Sequence, residues 1–126
     1  MVFLLGLGLL VSIDFYKSYA LISEKATLVS FLRKARSRAL VNFNQSNHGF
    51  YISPTQYIIF QGPSYASRSS TWDQVFGKAA GINTSGLEEI VFGPLTATSS
   101  ASGTIYLNDS RVTTTIEINY EGRINW

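Results

Sequence analysis

The sequence predicts an α+β fold in which one long N-terminal helix packs on a small antiparallel β domain. Two observations support the helix: no proline occurs before Pro54, and apolar residues recur at helical spacing among charged ones as far as residue 41. A third observation supports the β domain, because short runs of β-branched and aromatic residues alternate with turns that contain glycine or proline. We therefore divide the chain into a helix, residues 1–41, and a globular β domain, residues 42–126.

The first part of the helix is apolar. Residues 1–13 (MVFLLGLGLLVSI) carry no charge, and two aromatic residues and a lysine follow at residues 15–17, as is typical of a membrane interface. We predict a single-pass membrane anchor at residues 1–16, although its uncharged part reaches only about 20 Å against a hydrocarbon core of about 30 Å. A short buried core helix and a secretory signal remain alternatives. The residues predicted to contact lipid or neighbouring helices are Val2, Phe3, Leu4, Leu5, Leu7, Leu9, Leu10, Val11 and Ile13.

The second part of the helix, residues 17–41, is amphipathic. Its apolar positions repeat at steps of three and four, so they lie on one stripe that we expect the β domain to cover. The stripe consists of Leu21, Leu28, Leu32, Ala35 and Ala39, and Lys25 occupies the position of the stripe between Leu21 and Leu28. The opposite side is expected to be exposed and carries Glu24, Arg33, Lys34, Arg36 and Arg38.

Charge is distributed unevenly between the two parts of the chain. Residues 1–41 contain six Lys/Arg and two acidic residues, which gives a net charge of +4. Residues 42–126 contain four Lys/Arg and six acidic residues, which gives a net charge of −2. The basic character therefore belongs to the helix, where it could contact phosphate groups but is more typical of a solvated face. The absence of cysteine excludes disulfides and thiol chemistry, and it does not decide the compartment.

The β domain is predicted from runs that are rich in aromatic and β-branched residues. The strands expected from these runs are residues 50–53, 56–61, 87–92, 104–107, 112–120 and 123–126. The fifth strand alternates strictly, so we expect one face of it to be buried. That face carries Val112, Thr114, Ile116, Ile118 and Tyr120.

The connections between these strands are marked by turn-forming residues. The helix should end through Asn42, Asn44 and Asn47. Trp72 and Phe76 are expected to dock a surface loop on the core. Turns, loops or irregular segments are predicted at residues 47–49, 64–71, 77–86 and 96–102.

The inventory of catalytic residues is poor, so we predict a protein that is not an enzyme. His48 is the one histidine, and no serine stands in a recognisable nucleophile motif. Glu88 and Glu89 are adjacent on a predicted strand, which points them to opposite faces and makes them a poor acid and base pair. Metal-ligand spacing is absent from the sequence, and no cofactor is expected.

Several short motifs, in their order and spacing, resemble one protein family. They are an ARSRA element at residues 35–39 after the apolar helix, then VFGP at 91–94, SGTIYL at 102–107, IEIN at 116–119 and GRI at 122–124. Together they resemble the GspH/FimT family of type IV pilin-like proteins, which comprises H-type minor pseudopilins and related minor pilins. The resemblance extends from the anchor to the last residue, and its middle, residues 51–86, is similar only in kind.

The resemblance implies a pilin-like fold and a role in assembly. Such a subunit is held in the inner membrane by its helix, with the β domain extracytoplasmic, and enters a type II secretion pseudopilus or a type IV pilus. Its implied partners are other pilins or pseudopilins, membrane lipid, an inner-membrane assembly platform, and a prepilin peptidase that cleaves a leader before methylation. The leader and the glutamate at the fifth mature position are not in this sequence, so Met1 is expected to lie inside the mature helix.

Two other functions remain open. The first is a DNA-binding competence pilin, for which Arg111 and Arg123 beside strand tyrosines are the candidate contacts. Family members that bind DNA end in a basic G-R-x-R motif, and here residues 122–125 (GRIN) keep only its first arginine. The second is a tethered or secreted β-sandwich binding module, such as an adhesin.

Overall fold

The computed structural model describes the backbone of residues 2–126 and the side chains of residues 19–126. Over this range the chain forms one α-helix, eight strands and two short 3₁₀ turns at Phe43–Gln45 and Ser70–Trp72. The α-helix is α1 (Val2–Leu40). The strands are β1 (His48–Ile52), β2 (Gln56–Gln61), β3 (Gln74–Gly77), β4 (Asn83–Gly86), β5 (Glu89–Phe92), β6 (Gly103–Asn108), β7 (Thr113–Ile118) and β8 (Ile124–Asn125).

The strands form two antiparallel sheets of four strands each. Sheet A has the order β3-β2-β1-β5, and sheet B has the order β4-β6-β7-β8. Helix α1 packs against both sheets, and a single core cluster combines helix residues with residues of both sheets. The prediction of an α+β fold, with one N-terminal helix packed on antiparallel β structure, is confirmed.

The described part of α1 buries the predicted stripe. Leu28, Leu32, Ala35 and Ala39 are fully enclosed, and Leu21 is nearly so. The expectation that Lys25 fills the remaining position and that Glu24 is exposed is wrong. Glu24 is only 8% exposed, whereas Lys25 is half-buried, because the step from Leu21 to the next core position is three residues rather than four.

The helix ends earlier than the sequence suggests, and the turn lies before the predicted one. Asn42 adopts a left-handed conformation (φ 55°), and positive φ angles follow at Asn44 and Gln45. Asparagine tolerates this region better than most residues, so these positions complete the reversal. The predicted turn at residues 47–49 is therefore wrong, since His48 and Gly49 already belong to β1.

Sheet A is covered on both faces. Phe50, Tyr57 and Ile59 face α1 in the main core, whereas Ile58, Phe60 and Val91 form a second cluster on the opposite face. The prediction that residues 64–71 form a surface loop with little to bury misses this role. Tyr65 of that loop stacks on Tyr51, with ring centroids 3.9 Å apart, and meets the Phe60 ring edge-on.

One salt bridge and several hydrogen bonds hold this loop in place over sheet A. The backbone N–H of Tyr65 donates to Oε1 of Glu89 at 2.6 Å. Arg68 lies over the Tyr65 ring and pairs with Asp73 at 2.8 Å. Phe76 packs on the core and stacks on Phe31, as expected, but Trp72 is 46% exposed.

Sheet B is buried on one face only. Ile116 and Ile118 of β7 enter the core with Ile105 and Leu107 of β6, as the alternation predicts. The predicted buried face is too long, however. Val112 and Tyr120 lie beyond the ends of β7 and are exposed, because neither sheet nor helix continues over them.

Two short strands, β3 and β4, are not predicted from the sequence. Residues 77–86 were expected to be irregular, but β3 ends within this segment at Gly77 and β4 occupies Asn83–Gly86. Strand β4 has no large apolar side chain, and backbone pairing with β6 holds it in sheet B. Backbone pairing leaves no hydrophobic period in the sequence.

Candidate functional site

The predicted membrane anchor, residues 1–16, lies outside the side chains that the structure describes. The nine anchor residues from Val2 to Ile13 therefore stay sequence predictions. Within the described residues, α1 provides no stretch that is both long and apolar enough to cross a membrane. The candidate functional surface that can be described is the exposed side of α1 after Tyr19, together with the strand ends beside it.

The basic side of the helix is only partly exposed. Arg33 and Lys34 are exposed, as predicted, but Arg36 and Arg38 are half-buried. The guanidinium of Arg33 lies 4.1 Å from the ring centroid of Trp126, and that of Arg38 lies 5.8 Å from the ring centroid of Phe43. Two of the four cations are therefore held against aromatic rings, an arrangement that limits their freedom and favours a fixed site.

An arginine cleft lies between α1 and the last turn of the chain. We use this name for a cavity of about 550 Å³ that Arg33 and Arg36 of the helix share with the β7–β8 connection. Among the described residues, Glu121 carries the one acidic side chain in its lining, beside three arginine side chains. The structure contains no ion pair between Arg36 and Glu121. The residues that line the cleft are Arg33, Arg36, Ser37, Glu121, Gly122, Arg123, Ile124 and Trp126.

The turn between β7 and β8 fixes the position of Arg123. The N–H groups of Gly122 and Arg123 donate to the backbone and side-chain oxygens of Asn119, both at 2.9 Å. Gly122 has φ +84° and touches the loop at Ala97 so closely that an added Cβ would lie 2.1 Å from the Ala97 carbonyl oxygen. Only glycine fits there without strain, and the tight contact brings Arg123 to the helix arginines.

Arg36 is the least satisfied member of the cleft. Its Nε is buried and has no hydrogen-bond partner among the described residues. A buried donor without a partner costs about 1–3 kcal/mol, and more when it is charged. The cleft therefore contains a positive group whose hydrogen-bonding capacity the protein itself leaves unused.

An apolar groove adjoins the arginine cleft along α1. It has a volume of about 410 Å³ and shares Arg33 and Trp126 with the cleft. Ile22 forms part of its wall and is 67% exposed. The remaining residues that line the apolar groove are Lys25, Ala26, Val29 and Thr114.

The two candidate nucleic-acid contacts do not come together. Arg123 joins Arg33 and Arg36 in the arginine cleft, whereas Arg111 lies in the β6–β7 turn, at the other end of β7. A strand of this length separates its ends by roughly 20 Å. Arg111 pairs with Asp109 at 3.3 Å, and the N–H groups of Val112 and Arg111 hold the pKa of the Asp109 carboxyl below its ordinary value.

The tyrosines that accompany these arginines in the sequence are not arranged as a base-stacking platform. Tyr57 is fully buried in the main core. Tyr51 and Tyr65 stack on each other over sheet A, and Tyr106 projects from sheet B. A platform for successive bases needs several accessible rings in one row, and the described residues offer none.

A buried polar cluster lies where α1 meets sheet A. Glu24 accepts a hydrogen bond from the N–H of Ala79 at 3.4 Å, and Lys78 donates to Oγ1 of Thr84 at 2.6 Å. Burial lowers the pKa of Lys78, which Glu24 and Glu88 oppose. Burial, and then the nearby Glu24 carboxylate, raise the pKa of Tyr57. The Glu24–Ala79 hydrogen bond ties the helix to the segment that follows β3, and none of these groups lines the arginine cleft.

His48 is a buried structural residue. It is 1% exposed, and its Nε2–H donates to the carbonyl oxygen of Phe43 at 2.8 Å. Burial lowers the pKa of His48, the Phe43 bond opposes this effect, and the charge of Arg38 adds to it. The imidazole therefore packs as a neutral group beneath the turn that ends α1.

The comparisons do not assign the chain to a family. Over the described residues, no group of three or more His, Cys, Asp or Glu side chains is arranged to hold a metal ion. No protein-family model matches the chain, and neither a curated protein nor a solved structure does. The sequence does not predict the cleft and the groove. They join residues 22–37 to residues 114–126, and no local pattern links the two segments.

Proposed function

We propose that the chain is a minor pseudopilin or minor pilin subunit. It is held in the inner membrane by the first part of α1, with its β domain extracytoplasmic, and enters a type II secretion pseudopilus or a type IV pilus through this helix. The GspH/FimT type of pilin-like fold is part of this proposal. Prepilin peptidase, an inner-membrane assembly platform and other pilins or pseudopilins are the expected partners.

The length of α1 carries the proposal. The helix contains 39 residues, which corresponds to about 58 Å at the usual rise per residue. The β domain, residues 42–126, has an expected diameter of about 30 Å. A helix about twice as long as its domain cannot be covered by that domain along its whole length.

The composition of the first part of the helix explains how assembly would work. Residues 1–13 contain no polar side chain except Ser12, so lipid tails or other apolar helices are their favourable surroundings. A subunit of this kind needs no catalytic group. It exchanges lipid contacts for contacts with neighbouring helices, while the β domain remains outside the bundle of helices.

The anchor can be tested with a double variant, Leu5→Asp with Leu9→Asp. A charged side chain at mid-membrane costs about 2.5–3.5 kcal/mol, so two of them should move the protein from the membrane pellet to the soluble fraction. The matched control is Val75→Asp with Val112→Asp, which adds the same charge at two exposed positions of the β domain. Retention of the Leu5/Leu9 variant in the membrane pellet would contradict the anchor.

Filament association separates this function from its rival. A tethered or secreted binding module would be recovered without filaments, whatever the state of the pilus machinery. A minor pilin or pseudopilin should be recovered with filaments, and it should be lost from that fraction when the assembly platform is deleted.

A further inference from the structure

We propose that the arginine cleft and the apolar groove together bind an acidic polypeptide segment of a partner protein. A carboxylate of the segment enters the cleft, and a neighbouring apolar side chain of the same segment lies in the groove. This inference concerns the β-domain end of the helix and does not depend on membrane anchoring or on filament assembly.

The cleft has the chemistry of a carboxylate site. Arg33, Arg36 and Arg123 line it together with Glu121, so three cationic side chains stand beside one acidic side chain. Guanidinium groups present planar pairs of N–H donors that match the two oxygens of a carboxylate. The Nε of Arg36 is buried and has no partner among the described residues, so Arg36 adds its charge from behind the cleft, and Arg33 and Arg123 are the exposed arginines that would meet an incoming carboxylate.

The groove adds a requirement for an apolar group beside the acid. Ile22, Ala26 and Val29 of α1 line it, and Trp126 lines both the groove and the cleft. Lys25 also lines the groove. A ligand that fills both spaces therefore carries negative and apolar groups in alternation or close succession. Acidic polypeptide segments have this chemistry, and free small anions do not.

Sheet B offers a place for such a segment to pair. Strand β8 covers only Glu117 and Ile118 of β7. Residues 113–116 therefore have no strand neighbour on that edge among the described residues. Thr114 of the same strand lines the groove. An uncovered strand edge presents backbone N–H and C=O groups that pair with an extended polypeptide.

A nucleic acid fits this surface less well than a polypeptide. The phosphate backbone of a nucleic acid would have to continue from the cleft over a β domain whose net charge is −2. Arg111 lies at the far end of β7, and the tyrosines form no stacking row beside the cleft. Phosphate contacts along a nucleic acid need a continuous positive path, and on the β-domain side of the cleft Arg123 is the one cationic residue in the described lining.

The test uses the full chain in a nonionic detergent, labelled with ¹⁵N. The probe is a capped tetrapeptide in which valine alternates with glutamate, and the matched control peptide has glutamine in place of glutamate. The readout is the Nε–H resonance of each arginine in ¹⁵N–¹H spectra. We expect saturable shifts at Arg33, Arg36 and Arg123, and about tenfold tighter binding of the glutamate peptide, since each charge-assisted hydrogen bond contributes at least that much.

Variants of the protein locate the site. Arg36→Gln and, at an exposed position, Arg123→Gln should each weaken binding of the glutamate peptide about tenfold. Arg111→Gln removes the same charge at the other end of β7 and should leave the affinity unchanged. The exposed Arg123 variant keeps the test decisive if the Arg36 variant fails to fold. Loss of affinity that is equal in all three variants would overturn the proposal, because it would indicate a general charge effect.

Two further titrations test the chemical class of the ligand. Sodium phosphate at matched ionic strength should shift the same resonances more weakly than the glutamate peptide, because it places nothing in the groove. A short DNA duplex should bind no more tightly than phosphate does. Tighter binding of the duplex than of the peptide would overturn the polypeptide assignment in favour of nucleic acid, and equal binding of the glutamate and glutamine peptides would remove the carboxylate site.

Discussion

Sheet A and sheet B differ in how many of their faces are covered. Sheet A lies between α1 and the loop that carries Tyr65, and its strands β1, β2 and β5 are buried almost without interruption. Sheet B turns one face to the core and the other to solvent, so its strands alternate. The difference indicates that sheet A supports the helix as a rigid base, whereas sheet B provides the accessible edge and the arginine cleft.

The largest effect should come from removing a ring on the outer face of sheet A. Phe60 is fully buried there although it points away from the helix. Phe60→Ala should lower the free energy of unfolding by about 3–5 kcal/mol. Tyr106→Ala, the matched change on the outer face of sheet B, should cost less than about 1 kcal/mol. Denaturant unfolding of the full chain in detergent measures both, and equal costs would remove the contrast between the sheets.

A glycine substitution sharpens the same contrast. Gly49 pairs with Phe60 across β1 and β2, and an added Cβ would lie 2.3 Å from Cζ of that ring. Gly49→Ala should therefore destabilise the protein by about 1–3 kcal/mol. Gly77, at the edge of the same sheet, has no atom within 4 Å of an added Cβ.

The control for this prediction is Gly77→Ala, which should change the free energy of unfolding by less than about 0.5 kcal/mol. Thermal unfolding followed by circular dichroism compares the two variants. If Gly49→Ala is as well tolerated as Gly77→Ala, then Phe60 does not pack closely over β1.

The buried acid on the helix gives a smaller effect. Glu24→Ala leaves the N–H of Ala79 without its acceptor and should cost about 1 kcal/mol. Glu117→Ala, on the exposed face of sheet B, should cost less than about 0.5 kcal/mol. Chemical denaturation of the two variants checks this prediction, and a stabilising effect of Glu24→Ala would show that the buried carboxylate opposes the packing of α1.

The smallest effect is a pH dependence that belongs to sheet A. Burial holds the pKa of His48 below its ordinary value of about 6.5, so the unfolded chain binds more protons than the folded one in that range. The contribution of His48 to the free energy of unfolding is therefore complete above about pH 6.5. It is lost as the pH falls toward the lowered pKa of the folded state. The chain has one histidine, so sheet B contains no imidazole that titrates in this range.

A pH series of denaturant midpoints measures this loss between about pH 7 and pH 5. His48→Gln should be less stable at neutral pH and should show a flatter profile over the same range. An unchanged slope in the variant would assign the pH dependence to other groups.

The sequence predicts those elements whose side chains carry the signal. Strand β2 was predicted with the bounds that the structure has, because residues 56–61 form a dense apolar run between turns at Pro54 and Gly62. Strand β7 was predicted too long, since alternation continues past the point where the core ends. Strand β4 could not be predicted, because its backbone pairing with β6 leaves no trace in residues 83–86 (NTSG).

The candidate site could be predicted only in part. The helix arginines and Arg123 were each noticed as basic residues, but their convergence depends on the contact between Gly122 and Ala97. Glu24 is buried because the step from Leu21 to the next core position is three residues rather than four. A helical period of 3.6 residues allows both steps, so the sequence does not decide between Glu24 and Lys25. Long-range contacts of this kind follow from the tertiary fold, and a local pattern does not contain them.

The central claim, that this chain is built into a filament through α1, is tested most directly by shearing filaments from the cells that make the protein. The measurement is the fraction of the full chain that sediments with the sheared filaments, compared with the Leu5→Asp/Leu9→Asp variant at equal expression. The account predicts that the wild-type chain sediments with them and that the variant does not. Recovery of the wild-type chain only in the soluble fraction, in cells that assemble filaments, would contradict it.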